Sequence, residues 1–149
     1  MIVENYYDIE NIKKIWRQYQ TEFGRLYPNY VEDQCALNRF FCCKINGIVA
    51  GIAAYDIKNT KRVVVVDIIA TLPEFRGKGV AKALLRKIYE ETESLYKTLG
   101  FRMKIEAYLG LPNNEFWDYM SYDKEYHESP SGKTKSIYYY IDLHKLENM

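Results

Sequence analysis

The sequence predicts an α+β fold, in which one β-sheet is flanked by helices. Residues 63–70 form a nearly continuous run of β-branched and apolar residues, which is typical of a buried strand. Residues 80–99 carry apolar side chains at helical spacing, and Asn46-Gly47 separates two strand-like runs as a two-residue hairpin turn does. The chain of 149 residues has the length of one domain, which we expect to span residues 1–149.

The N-terminal part of the chain is predicted to fold as a strand, two helices and a hairpin. Asp8 precedes apolar residues that recur every three or four positions, so it is expected to cap the first helix. Gly24 and Pro28 are expected to end that helix. The expected elements are a strand at 2–6, helices at 9–21 and 30–38, and strands at 40–45 and 48–57.

The rest of the chain is predicted to contain two more helices and four more strands. Gly100 is placed to end the long helix, because glycine readily adopts the left-handed conformation found there. Asn113 or Asn114 can cap the shorter helix that follows. The expected elements are a strand at 63–70, a helix at 80–99, a strand at 101–108, a helix at 115–121, and strands at 124–128 and 134–143.

The glycine-rich loop after the buried strand is predicted to bind a phosphate-containing ligand. Gly77 and Gly79 lack a Cβ atom, so a phosphate can approach the main chain without a steric clash. The first amides of the following helix have no partner within it and favour an anion, and Arg76, Lys78 and Lys82 add positive charge. The spacing fits neither a Walker loop, which needs Ser or Thr after Gly-Lys, nor the dinucleotide motif, which needs glycine where Lys82 stands.

The same loop contains the pattern Arg-x-x-Gly-x-Ala, formed by Arg76, Gly79 and Ala81, directly after a Pro-Glu-Phe sequence. This pattern resembles the acetyl-CoA-binding loop of the GNAT superfamily of N-acyltransferases. The predicted element order, β-α-α-β-β-β-α-β-α-β-β, is similar to that family along nearly the whole chain. Two shorter stretches also resemble the family. Residues 46–51 resemble its hairpin between the second and third strands, and residues 116–122 resemble its C-terminal segment.

The resemblance implies a GNAT-like fold, whose central, mostly antiparallel sheet splays open and is flanked by helices. Acyl-CoA lies in the splay, which would fall between the strands at 63–70 and 101–108. Acetyl-CoA is the expected co-substrate, and no metal is expected because the two histidines stand apart. The resemblance implies that the strand end, the loop and the helix start bind the co-substrate, at Ile69, Ala70, Thr71, Arg76, Gly77, Lys78, Gly79, Val80, Ala81 and Lys82. Asn114 is a further expected contact, in place of a family asparagine that is absent here.

Asp67 is the only charged residue in the apolar 63–70 strand, where a carboxylate is costly unless it is hydrogen-bonded or faces a cleft. An attacking amine must lose a proton, since an unperturbed lysine-type amine has a pKa near ~10.4. Asp67 lies nine positions before Arg76, where many members of the resembled family carry a proton-relaying Glu. Asp67 is therefore a candidate base. The alternatives are that it faces solvent or caps a turn, or that Glu106 on the facing strand is the base.

The sequence departs from the resembled family at the expected general acid. The family tyrosine that protonates the leaving thiolate aligns with Trp117, whose indole N–H is not a practical acid. Tyr122 and Tyr119 are near enough in sequence to take that role, and a thiolate can also leave without a dedicated acid. A nearby family asparagine is missing as well, and Asn114 or Asn113 is expected to replace it.

Composition narrows the classes of partner and compartment. The formal net charge of +1 disfavours a nucleic-acid-binding module that relies on bulk positive charge. No apolar run approaches the length of a membrane span. The three cysteines are an odd number and two are adjacent, which favours a reduced, cytoplasmic protein. We therefore expect no nucleic-acid or membrane partner, and either a monomer or a homodimer.

The leading functional hypothesis is an acetyl-CoA-dependent N-acetyltransferase, in which a primary amine attacks the thioester directly in a ternary complex. The acceptor is expected to be a small-molecule or protein amine. The alternative is a non-catalytic acyl-CoA-binding domain of the same fold, which Trp117 at the acid position would suit. A third, more distant alternative is nucleotide or phosphosugar binding through the same loop.

Overall fold

The computed structural model of the chain describes residues 1–19, 27–108, 114–128, 130–132 and 135–147. Within these residues the strands are β1 (Ile2–Asn5), β2 (Phe40–Ile45), β3 (Ile48–Lys58), β4 (Val63–Thr71), β5 (Arg102–Tyr108), β6 (Ser121–Glu128) and β7 (Lys135–Ile141). The helices there are α1 (Ile9–Tyr19), α2 (Tyr30–Ala36), α3 (Val80–Leu99), α4 (Asn114–Met120) and α5 (His144–Glu147), with a 3₁₀ turn at Pro73–Phe75. None of the described helices is both long enough and apolar enough to span a membrane.

Local sequence signals account for the ends of several elements. The Asp8 carboxylate accepts a hydrogen bond from the Asn11 backbone N–H at 3.0 Å, which confirms the predicted cap of α1. Asn46 and Gly47 both have positive φ, 52° and 78°, as a type I′ hairpin turn between β2 and β3 requires. Gly100 follows α3 with φ 70°, in the left-handed conformation expected at a helix end.

The predicted element order is confirmed, with corrections near the C-terminus. The sequence prediction placed the last strand at 134–143, whereas β7 ends at Ile141 and a further helix, α5, follows it. Four residues are too few to show helical periodicity, so α5 could not be predicted from spacing. Its position is fixed by long-range contacts instead. Leu146 is fully buried, and the Arg86 side chain donates a hydrogen bond to the Leu146 carbonyl oxygen.

The sheet is mostly antiparallel and splays open, as the resemblance implied. The described strands form one sheet in the order β1-β2-β3-β4-β5-β7-β6, and β4 and β5 are parallel neighbours. Their pairing runs from Val63 with Arg102 to Val66 with Ile105 and stops there. Beyond that point β4 stays paired with β3 as far as Thr71, while β5 stays paired with β7 to its end. The carboxyl ends of β4 and β5 therefore diverge, and an opening lies between them.

Helices cover both faces of the sheet, and β4 contributes to both apolar layers. The layer on the α3 side, here called the α3 face, includes Val64, Val66, Leu84, Ile88 and Met103. The layer on the α2 side, here called the α2 face, includes Ile12, Val31, Ile52, Ile68 and Ala70. In a regular strand, residues two apart point to the same face, so β4 must be irregular between its fourth and sixth residues.

Gly51 in β3 allows α3 to pack closely against the sheet. A Cβ atom built at Gly51 would lie 2.6 Å from the Ala70 carbonyl oxygen and 2.6 Å from Val80 Cγ1. The carbonyl belongs to the main chain of β4 and cannot move without disturbing the sheet. Gly51 therefore lets the first residue of α3 lie close to β3.

We expect Gly51→Ala to lower the free energy of unfolding by about 1–3 kcal/mol, as overpacking of a core typically does. The added methyl group must displace either the Ala70 carbonyl or the Val80 side chain. Urea unfolding followed by circular dichroism measures the change. An unchanged unfolding midpoint would show that the start of α3 moves away from β3 at no cost.

Candidate active site

A cleft with a volume of about 350 Å³ lies at the carboxyl end of β4, where the sheet opens. Three elements meet there: the end of β4, the loop that leads into α3, and the first residues of α4. The residues that line it are Ile69, Thr71, Arg76, Gly77, Gly79, Val80, Ala81, Lys82, Phe116 and Trp117. Eight of the predicted co-substrate positions thus lie together around one cleft.

The glycines of the loop leave space at the cleft wall. Gly77 and Gly79 have φ of 77° and 82°, in the left-handed region that favours glycine. A Cβ atom built at either position would have no neighbouring atom within 4 Å. The space beside the main chain is therefore open at both residues, as the approach of a phosphate requires.

The start of α3 presents main-chain donors to the cleft. Gly79 precedes the helix, and its carbonyl oxygen accepts the Ala83 N–H at 3.0 Å. No described side chain caps this helix end. The first amides of a 20-residue helix such as α3 have no partner within it, and the helix dipole there favours an anion. Arg76 and Lys82 add positive charge at the cleft wall, whereas Lys78 is exposed and lies outside the lining.

The end of β4 presents alternate residues to the opening. Successive main-chain groups of a strand point to opposite edges. The Ala70 carbonyl lies next to Gly51 of β3, and the Leu72 N–H donates to the Ala50 carbonyl oxygen at 2.8 Å. Ile69 and Thr71 therefore direct their main-chain groups to the edge that faces the opening, and Ala70 does not.

Asp67 occupies an irregularity in β4 beside the same opening. Ile68 pairs with Ala54 and Val66 pairs with Tyr55, so Asp67 is an extra residue with no opposite partner on β3. Such a β-bulge redirects the side chain and sharpens the local twist. It also accounts for the change of face within β4. Asp67 lies just beyond Val66, the last residue of β4 that pairs with β5.

The Asp67 side chain points to the α2 face, where it is partly buried. The Tyr30 hydroxyl donates a hydrogen bond to Asp67 Oδ2 at 2.7 Å. Burial raises the pKa of the Asp67 carboxyl to about 6, and the carboxylates of Asp56 and Glu106 add to the rise. The Tyr30 hydrogen bond and Lys58 oppose it. A carboxyl group with this pKa is largely ionised at neutral pH and more basic than an ordinary aspartate.

Glu106, the alternative base, is exposed on β5, just past the last residue that pairs with β4. The contact between Tyr30 and Asp67 was missed by sequence reasoning, because 37 positions separate the two residues. The position of Tyr30 at the start of a short helix does not indicate a contact with Asp67. Only the placement of α2 over the bulge of β4 brings the two side chains together.

Neither of the two candidate acid tyrosines lines the described part of the cleft. Tyr122 is on β6, and both β5 and β7 stand between β6 and β4. Three strand spacings amount to about 14 Å. Tyr122 packs near Tyr140 and is 58% exposed, and Tyr119 on α4 is 60% exposed with Lys145 over its ring.

Trp117, the residue aligned with the family acid, does line the cleft. It is 6% exposed, and its ring meets that of Phe116 edge-on with centroids 4.8 Å apart. Asn114 is the first residue of α4, but its side chain lies outside the described part of the structure, as does all of Asn113. The described residues also contain no group of three or more His, Cys, Asp or Glu placed to hold a metal ion.

The sheet opens beside a helix start suited to anions, and a partly buried carboxylate lies next to the opening. This arrangement is the one expected of a CoA-dependent acyltransferase. The sequence profile of the Acetyltransferase (GNAT) family matches residues 7–117. The chain therefore belongs to the GNAT acetyltransferase family. No curated protein sequence matches it significantly.

Solved structures of acetyltransferases share this fold. An aminoglycoside 6'-N-acetyltransferase complexed with coenzyme A has a TM-score of 0.70 at 11% identity, covering 93% of this chain and 94% of that one. Arabidopsis thaliana Naa50, in complex with the bisubstrate analogue CoA-Ac-MVNAL, has a TM-score of 0.64 at 15% identity, covering 92% of this chain and 95% of that one.

A third similar structure belongs to a longer protein. N-acetylglutamate synthase from Neisseria gonorrhoeae, complexed with coenzyme A and N-acetyl-glutamate, has a TM-score of 0.69 at 14% identity. The match covers 95% of this chain but 35% of that one, so this chain spans about a third of the synthase. At these identities the likeness is one of fold.

Proposed function

We propose that this chain is an acetyl-CoA-dependent N-acetyltransferase that acetylates a primary amine by direct attack in a ternary complex. The observation that carries the proposal is the position of Asp67. Its partly buried carboxyl group stands beside the opening between β4 and β5, and the cleft at the start of α3 lies at the same opening. A candidate proton acceptor and a cleft suited to anions are thus next to one another.

The cleft residues suit the phosphates and the extended arm of acetyl-CoA. The open space at Gly77 and Gly79 admits a phosphate, and the amides of Val80 and Ala81 can donate to it. The main chain of Ile69 and Thr71 can pair with the arm as a neighbouring strand would. When bound, acetyl-CoA supplies the acetyl group as a reactive thioester.

We place the amine on the α2 face, opposite the CoA cleft. Asp67 points to that face, whereas the start of α3 lies on the other. In the proposed complex the amine and the thioester meet through the opening between β4 and β5. The amine nitrogen bears a proton at neutral pH, and the Asp67 carboxylate takes that proton, directly or through water. The neutral amine then reaches the thioester carbon through the opening.

The cysteines support direct attack over a covalent enzyme intermediate. Cys35 lies on α2, and Cys42 and Cys43 lie on β2, which β3 separates from β4. All three are buried, and burial raises their pKa values, that of Cys42 to about 11. A buried, protonated thiol is a poor nucleophile.

The leaving thiolate is released beside Trp117, which offers no practical acid. A thiol has a pKa near ~8.5, so its thiolate is a moderate leaving group that water can protonate. We therefore propose that neither Tyr119 nor Tyr122 is required for turnover. Both are exposed and lie outside the described lining of the cleft.

The proposal is tested by incubating the purified chain with acetyl-CoA and a panel of amines, and measuring free thiol over time. The panel contains a polyamine, an aminoglycoside, glutamate, and peptides with a free N-terminus or a free lysine. We expect amine-dependent thiol release with at least one member, and a corresponding acetylated amine by mass spectrometry. CoA binding without thiol release on any amine would favour the non-catalytic alternative. Competition by ATP for the CoA site would favour the nucleotide alternative.

A further inference from the structure

Tyr30 is a buried residue whose polar group reaches the candidate base. It is the first residue of α2 and is 3% exposed. Its hydroxyl donates to Asp67 Oδ2 at 2.7 Å, a normal length for a hydrogen bond to a carboxylate. A buried tyrosine hydroxyl without a partner would be costly, so this contact stabilises both side chains.

The position of Tyr30 is fixed by its surroundings. Val31 and Cys35, further along α2, are buried in the apolar layer of the α2 face with Ile52 and Ile68. The Tyr27 ring also meets the Tyr30 ring edge-on, with centroids 5.3 Å apart. The Tyr30 hydroxyl is therefore held at one point over the bulge of β4.

Tyr30 also remains a proton donor throughout the working pH range. Burial raises its pKa far above that of a free tyrosine, and the negative charge of Asp67 raises it further. Its O–H bond therefore stays intact while Asp67 changes protonation state. Tyr30 can orient the carboxylate but cannot replace it as the base.

We propose that Tyr30 is a positioning residue for Asp67, holding Oδ2 so that Oδ1 takes the proton from the acceptor amine. The inference rests on the proposed function. In the step, the amine N–H bond breaks, an O–H bond forms on Asp67, and the nitrogen keeps its electron pair. The Tyr30 hydroxyl donates to Oδ2 before and after the transfer.

The charges around Asp67 determine how its pKa would change if the hydrogen bond from Tyr30 were lost. Burial is the main factor that raises the Asp67 pKa, and Asp56 on β3 and Glu106 on β5 act in the same direction. Lys58 on β3 and the hydrogen bond from Tyr30 on α2 lower it. Without the Tyr30 hydroxyl, Lys58 is the one remaining group of this set that lowers the Asp67 pKa. Burial and the two carboxylates still raise it, so the Asp67 pKa is expected to rise.

The first test compares kcat/KM of Tyr30→Phe with that of the wild type across pH. We expect the Asp67 pKa to be about one unit higher in the variant. The ratio of the variant's kcat/KM to that of the wild type should then be near one above about pH 8.5, and about one tenth below about pH 5.5. A structural defect would lower the ratio equally at every pH. A ratio that does not vary with pH would overturn the inference.

The matched control is Tyr96→Phe in α3. Its hydroxyl forms a 2.7 Å hydrogen bond with the Thr92 hydroxyl, away from the cleft lining, so the change removes a similar hydroxyl from another partly buried place. We expect a pH-independent ratio for this variant. A pH-dependent ratio in Tyr96→Phe equal to that in Tyr30→Phe would also overturn the inference.

A second test does not depend on turnover. The carboxyl carbon resonance of Asp67, assigned by its loss in Asp67→Asn, is titrated by NMR in the full chain and in Tyr30→Phe. We expect the Asp67 pKa to be higher by about one unit in the variant. An unchanged pKa in folded Tyr30→Phe would overturn the inference, whether or not the chain transfers acetyl groups. A raised pKa in a chain that accepts no amine supports the contact, and only the proposed function then fails.

Discussion

Asp67→Asn is expected to lower kcat by about 10²–10⁴-fold, the usual contribution of a general base, with no change in CoA affinity. The asparagine side chain keeps the size of Asp67, and its amide oxygen can still accept the hydrogen bond from Tyr30. It cannot take a proton from the amine. Steady-state kinetics measures the loss of turnover, and calorimetric titration with CoA measures the affinity.

Glu106→Gln is the matched control, because it neutralises the other carboxylate close to the opening. Glu106 is exposed, and we expect its replacement to change kcat by less than about tenfold. If Glu106→Gln abolished turnover and Asp67→Asn did not, the base would be Glu106. Wild-type turnover in both variants would show that the amine loses its proton to solvent instead.

Gly79→Val is expected to weaken CoA binding by about a hundredfold or more, which corresponds to about 2.7 kcal/mol. A β-branched residue is strained at φ 82°, so the loop must change conformation to relieve the strain. The side chain would also enter the open space beside the main chain. Both effects disturb the donors at the start of α3. Calorimetric titration of the folded variant with CoA measures the loss.

Gly47→Val provides the same backbone strain at a residue that does not line the cleft. Gly47 has φ 78°, and a Cβ atom there would likewise meet nothing within 4 Å. It lies in the turn between β2 and β3. We expect this variant to lose stability while CoA affinity is retained. Equal losses of affinity in the two variants would mean that Gly79 acts through general stability and not through the cleft.

Features that arise from local sequence patterns were predicted accurately. The β-branched run that became β4, the Asn46-Gly47 turn and the caps at Asp8 and Gly100 each depend on a few adjacent residues. The loop at the start of α3 was predicted for the same reason. Two glycines with positive φ and the first turn of a helix form a unit that the sequence specifies locally.

Features that depend on strand register and order could not be predicted in this way. Ala54 and Tyr55 are adjacent in β3, but their partners in β4, Ile68 and Val66, have Asp67 between them. No periodicity in either strand reveals this extra residue. Tyr122 was predicted as a candidate acid from its nearness to Trp117 in the sequence, and no pattern in the sequence showed that β5 and β7 would lie between its strand, β6, and β4. The partner of Asp67, Tyr30, was missed because only the placement of α2 over β4 brings together two residues that are 37 positions apart.

The binding of CoA at the start of α3 can be measured residue by residue, by following backbone amide resonances in NMR spectra while CoA is added. We expect the largest shifts at Gly77, Gly79 and Val80, with smaller ones at Ile69 and Thr71 on the edge of β4. The same titration of Gly79→Val should require a much higher CoA concentration. Saturable shifts that left these amides unchanged and clustered elsewhere in the chain would contradict a CoA site at the opening of the sheet.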